Sequence, residues 1–199
     1  MKPSSCSVLL ASALLALLPA GLLAQESLSV FSAKAGFADG WKSSAWNGPV
    51  TNQVEGPVKG TTVLQISLAG NAQPYAGVIL VATPGSGLDL TDKVRQSGVV
   101  TLDVKPGKTV QGAAATAPQP LQLALSFLTK DGETVHGAFN TQATVTTAES
   151  GTRISFPVAT ALKGVKSPDS LASISSVRLQ YIDAPLAGFA IIDCTIKAE

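Results

Sequence analysis

The stretch Pro120-Leu-Gln-Leu-Ala-Leu-Ser-Phe-Leu-Thr129 places Leu121, Leu123, Leu125 and Phe127 on one side of an extended chain and Gln122, Ala124 and Ser126 on the other. That period of two is the signature of a strand with one buried face. Lys130 and the pair Asp131-Gly132 follow at once. Asp-Gly between two extended runs predicts a two-residue hairpin turn, with positive φ at both turn positions and Glu133 to Phe139 as the returning arm. The same alternation recurs along the chain. It predicts strands at Leu28 to Phe31, Thr62 to Leu68, Gly77 to Val81, Val99 to Lys105, Thr152 to Val158, Ser176 to Ile182 and Gly188 to Lys197. No stretch of a dozen residues keeps an amphipathic helical period with caps at both ends, and only Leu90 to Gln96 and Ala159 to Lys163 suit single helical turns.

Glycine and proline punctuate the gaps. Pro84-Gly85-Ser86-Gly87 and Lys105-Pro106-Gly107-Lys108 read as surface turns, and the small-residue tract from Gly112 to Pro118 reads as a loop. Eight or more short strands in a chain of this length predict an all-β, two-sheet antiparallel sandwich, with a jelly roll as the favoured form. The last strand is apolar on both sides through Ile191-Ile192-Asp193-Cys194-Thr195-Ile196. It should pair centrally, with Leu28 to Phe31 as its neighbour.

The chain has 199 residues and opens on a different pattern. Lys2 is followed by an uncharged run of 11 apolar and small residues, Val8 to Leu18, and by Leu22-Leu23-Ala24 before Gln25. This is the form of a secretory signal peptide cut after Ala24. A run of 11 is too short to span a bilayer, which takes about 20. The expectation is a leader at 1–24 and one domain at 25–199, exported to the extracellular space or the periplasm, with no membrane span.

Charge and cysteine content narrow the function. Lys2 is the only charge in the leader, so 13 basic and 13 acidic residues remain after it. This balance has no basic surplus for nucleic acid. Cys6 falls in the leader and leaves Cys194 alone, so no internal disulfide can form. In an apolar strand it reads as a small buried thiol.

Catalytic constellations find little support. A serine triad would have to use His136, the sole histidine, and Gly85-Ser86-Gly87 sits in a turn instead of a strand-to-helix elbow. One histidine and one cysteine cannot make a zinc site of three or four nitrogen or sulfur ligands. No phosphate-binding loop occurs. Paired carboxylates for glycoside hydrolysis need only two of the 13 acidic residues. Even so, Asp131 belongs to a turn, Asp89 and Asp92 flank another, and Asp103 and Asp193 lie in strands.

Several segments in order carry a resemblance: Phe37-Ala-Asp-Gly-Trp41 through Trp46-Asn47-Gly48; Leu88-Asp89-Leu90-Thr91 leading into Val99 to Val104; Leu121 to Gly132; Ile174 to Gln180; and Ala187 to Ile196. Together they resemble the galactose-binding-like jelly roll of secreted carbohydrate-binding modules, over most of residues 28 to 197. The resemblance implies non-catalytic glycan binding. It also implies a structural calcium near acidic residues of the last strand. There this chain keeps only Asp193, with Ile192 and Cys194 beside it, so Asp193 is the one calcium candidate.

Sugar recognition needs aromatic faces to stack on pyranose C–H groups and polar side chains for the hydroxyls. Aromatic residues make up only 5% of the chain, so the stacking candidates are few: Trp41, Trp46 and Tyr75. The other reading of the tryptophans is that one of them, Trp46 ahead of Trp41, plugs an open end of the sandwich; Tyr75 could likewise pack. Gln122, Arg178 and Gln180 should face outward and supply hydrogen bonds, unless they are plain solvated sheet surface. The partner implied is a poly- or oligosaccharide, with a cell-surface or enzyme partner as a further possibility. A structural or adhesive sandwich that contacts other proteins is the second function class, and a glycoside hydrolase the third.

Overall fold

The computed structural model describes residues 26–115, 117–139, 141–145 and 151–199, so the leader at 1–24 lies outside the described residues. In chain order the strands are β1 (Ser27–Ser32), β2 (Gly36–Phe37), β3 (Trp41–Trp46), β4 (Pro49–Glu55), β5 (Thr62–Leu68), β6 (Gly77–Ala82) and β7 (Leu88–Asp89). They continue as β8 (Gly98–Thr109), β9 (Gln119–Thr129), β10 (Thr134–His136), β11 (Thr141–Val145), β12 (Thr152–Pro157), β13 (Leu171–Tyr181) and β14 (Ala187–Ala198). Two helical turns interrupt them, α1 (Asp92–Ser97) and α2 (Val158–Leu162).

These strands form an antiparallel two-sheet sandwich, as the alternation predicts. The first sheet runs β12-β8-β14-β1-β2, and β14 also carries β5, which in turn carries β4. The second sheet runs β10-β9-β13-β6-β3, with β11 also on β9 and β7 on β13. Inward residues of both sheets make one core: Leu121, Leu123, Leu125 and Phe127 of β9 meet Leu102, Ile191 and Ile196 from the facing sheet, all at most 1% exposed. The predicted central place of β14 holds. It pairs with β8 on one edge and with β1 and β5 on the other, and Ala198 N–H donates to Glu26 O at 2.8 Å beside the start of β1.

A β-bulge explains how β14 buries both Ile191 and Cys194, three residues apart, which strict alternation forbids. The register shifts between Ile191, opposite Val104, and Asp193, opposite Asp103. Ile192 is the extra residue, and beyond it the phase is reset so that Cys194 faces inward opposite Leu102. A second bulge at Ser175 does the same in β13, between Ile174 opposite Phe127 and Ser176 opposite Ser126.

The hairpin exists, but its turn is not of the expected form. Gly132 N–H bonds Thr129 O at 3.0 Å, Thr129 N–H bonds Glu133 O at 2.8 Å, and of the two turn residues only Gly132 has positive φ, at 85°. This is a three-residue connection with a left-handed glycine closing it. Lys105 to Lys108, expected as a surface turn, is a bulged part of β8. The helical turn near Leu90 is present. Thr91 caps α1 by accepting from Val94 N–H at 3.2 Å, and Arg95 ties α1 to β13 through the carbonyls of Leu90, Pro168 and Leu171.

Cys194 is fully buried, and burial followed by the neighbouring Asp193 charge pushes its thiol well above the usual range. Native protein should therefore resist iodoacetamide at neutral pH, and reductant should leave its melting temperature unchanged. Labelling of the folded protein at the rate of the denatured chain would contradict this.

Candidate functional site

Period two within β3 separates the two tryptophans. Five positions apart is an odd spacing, so they point to opposite sides of the second sheet. Trp41, Ser43 and Ala45 face the core; Lys42, Ser44 and Trp46 face outward. Trp41 is 5% exposed, belongs to the core cluster and donates its indole N–H to Ser86 O at 2.7 Å. The expected order is thus reversed: Trp41 is the core residue and offers no ring face to a ligand.

Trp46 is half-buried on the outer side. Its benzo edge lies against Gly77, where an added Cβ would clash with Cζ2 and Cη2. Only glycine permits this close approach. The ring is oriented by a 2.7 Å bond from Nε1 to Tyr75 O.

Tyr75 occupies a turn whose Ala76 N–H returns to Gln73 O at 3.1 Å. Pro74 takes the second position and Tyr75 the third, where a turn of type II requires positive φ and favours glycine. Tyr75 adopts φ 59° there and is 57% exposed. A non-glycine residue so placed costs on the order of 1–3 kcal/mol. The Tyr75 carbonyl is held from two sides, by Trp46 Nε1 and by Gln180 Nε2 at 3.3 Å.

Pairing register aligns the remaining candidates. Gln142 of β11 stands opposite Gln122, Gln122 opposite Gln180, Gln180 opposite Gly77, and Gly77 opposite Trp46. One row across the sheet therefore joins Gln122, Gln180 and Trp46 on its outer face. Gln142 belongs to the same row, and no single strand's pattern identifies it.

The next row holds Ala124, Arg178, Ile79 and Ser44. Arg178 reaches Gly137 O at 2.6 Å, and its guanidinium lies 4.7 Å over the Phe139 ring. Ala124 is fully buried although it faces outward. Burial lowers the pKa of Arg178, but the group stays charged, since arginine does not deprotonate in proteins. Arg178 Nε has no partner.

The third row contains His136, Ser126, Ser176, Val81 and Lys42. A groove of about 290 Å³ opens here. Four of the six binding candidates, Trp46, Gln122, Arg178 and Gln180, therefore share one sheet face, and Tyr75 adjoins it in the turn before β6, through the carbonyl that Trp46 and Gln180 hold.

The calcium candidate lies on the other sheet. Asp193 Oδ1 accepts from Ala33 N–H at 3.2 Å, and among the described residues no group of three or more His, Cys, Asp or Glu side chains could hold a metal ion. Its cross-strand neighbour Asp103 is gripped at both oxygens by Arg153, at 2.7 Å each. Both of these facing carboxylates are engaged by hydrogen bonds within the fold. Among the described residues, no helix is long and apolar enough to cross a membrane.

Solved structures share this architecture. The family 11 carbohydrate-binding module from Clostridium thermocellum, in complex with a β-1,3-1,4-mixed-linked tetrasaccharide, superposes with a TM-score of 0.53 at 14% identity, over 87% of this chain and 95% of that one. The fold is a jelly roll. The C-terminal family 22 module of Clostridium thermocellum Xyn10B, studied for the role of its cleft residues in ligand binding, shares the jelly roll with a TM-score of 0.51 at 10% identity, over 84% and 90% of the two chains. A xylan-binding domain of family 22 gives 0.51 at 11% identity, over 84% and 92%. No family model matches this jelly-roll chain, and no curated protein matches its sequence.

Proposed function

We propose that this protein is an exported, non-catalytic glycan-binding module that holds a neutral polysaccharide on the outer face of the second sheet. Trp46 and Tyr75 stack on sugar rings, while Gln122, Gln180 and Arg178 bond to hydroxyls. The observation that carries this reading is Tyr75. A tyrosine is kept exposed in a left-handed turn position that glycine would fill at lower cost, and its carbonyl is clamped by Trp46 and Gln180. Strain held in place by its surroundings is a mark of a binding surface. The jelly-roll likeness supports the same ligand class, since the family 11 module is seen in complex with a β-1,3-1,4-mixed-linked tetrasaccharide.

The leader at 1–24 supports export of residues 25–199 as one domain. The test is affinity electrophoresis through gels containing soluble plant, algal and microbial polysaccharides, with and without a calcium chelator. Retardation by one glycan class is expected. A chelator effect would restore calcium to the account, and free migration through every gel would favour a sandwich that contacts other proteins.

A further inference from the structure

Resting on that reading, the groove of the third row says which glycan. Its lining is of two kinds. Ser126, Ser175, Ser176 and Thr134 bring hydroxyls and His136 a ring nitrogen, while Ile79, Val81 and Leu128 bring aliphatic groups. The bulge at Ser175 brings two consecutive serines to this one groove, and bulges commonly re-aim side chains at functional sites. The Ser176 hydroxyl is unusual. It belongs to a residue 1% exposed, faces outward with Ser126 and Val81, and has no hydrogen-bond partner. A buried polar group left unpaired is costly and calls for an explanation. Because it surrenders no bond, rotation about its single side-chain torsion can turn it to a guest at small cost.

The lining defines that guest. Among the described residues no carboxylate, lysine or arginine lines the groove itself; Lys42 stands beyond Val81 in the row and Arg178 in the next one, so the lining offers no full charge in direct contact with a guest. Burial, and then the Arg178 charge, lower the pKa of His136, which favours the neutral ring. Its Nδ1 lies 2.9 Å from Ser126 Oγ. The described lining holds no phenylalanine, tyrosine or tryptophan either, so a bare sugar face has nothing broad to stack on. What fits is a neutral hydrogen-bond acceptor with a small apolar tip. The volume, about 290 Å³, is at the low end for ligand pockets, about 300 Å³.

We propose that this groove is a subsite for an acetyl group carried by the bound glycan, whose carbonyl accepts from Ser176 Oγ while its methyl lies against Ile79 and Val81. Ser176 and Gln180 are four residues apart on β13, roughly 13 Å, so the acetylated unit sits near, but not on, the unit stacked at Trp46.

The experiment compares retention of the purified protein by each polysaccharide before and after alkaline removal of its acetyl esters, with chitin and chitosan oligosaccharides as competitors for the amide form. At least about tenfold tighter binding of one acetylated form is expected, and the ester and amide arms identify which. Ser176→Ala should abolish that preference, leave binding of the deacetylated form unchanged and leave the melting temperature in place, since no hydrogen bond is lost. Val81→Asn, on the neighbouring strand, should abolish it independently. Equal retention of both forms, or a preference that survives both substitutions, overturns the acetyl subsite while leaving glycan binding intact. Absence of retention in either form overturns both.

Discussion

Alanine at Trp46 is expected to remove glycan retention while the fold persists. The indole is half-buried, so its loss exposes Gly77 and removes one of the two donors to the Tyr75 carbonyl without opening the core. Aromatic anchors at binding surfaces carry about 2–4 kcal/mol, which corresponds to about 30- to 1000-fold in the dissociation constant. The stability cost should stay near 1 kcal/mol, the usual worth of one hydrogen bond. Affinity electrophoresis and thermal melting of the same preparation check both halves. Unchanged retention would remove Trp46 from the binding surface.

The opposite result is expected five residues away. Trp41→Ala empties a core position and strands the Ser86 carbonyl that its indole N–H now satisfies. Removal of a buried tryptophan costs about 3–5 kcal/mol, a fall of roughly 6–20 °C in melting temperature for a domain of this size. Below that lowered transition, glycan affinity should stay within about threefold of the parent, because Trp41 faces away from the site. A stable Trp41→Ala protein that has lost binding would exchange the roles assigned to the two rings.

Much of this arrangement is legible in the sequence where one face of a strand is apolar. Leu121, Leu123, Leu125 and Phe127 fix the inward side of β9, so Gln122 must face out; Val177, Leu179 and Tyr181 do the same for Arg178 and Gln180 on β13. The central place of β14 follows from its apolar residues on both sides. By contrast, β3 carries no such stripe. Its inward residues are Trp41, Ser43 and Ala45, its outward ones Lys42, Ser44 and Trp46, and glycines flank it at both ends, so it reads as a turn and the five-residue spacing loses its meaning. β4 and β11 are likewise absent from the alternation. The strands there are held by pairing with β5 and β9, a tertiary fact. Bulges at Ile192 and Ser175 are also unreadable, because each appears only when two strands are placed in register. For the same reason, the row joining Gln122, Gln180 and Trp46 could not be drawn from separate strands.

Glu26 and Ala198 share a hydrogen bond where β1 and β14 begin and end, and both strands lie in the sheet opposite the one that carries Trp46 and Ser176. Any polypeptide running on from either position leaves at one common point, remote from the outer face of the second sheet. The sandwich could therefore be grafted into a surface loop of a carrier protein as readily as fused to either end, or have its own ends joined and new ones cut elsewhere, with the groove still open to solvent.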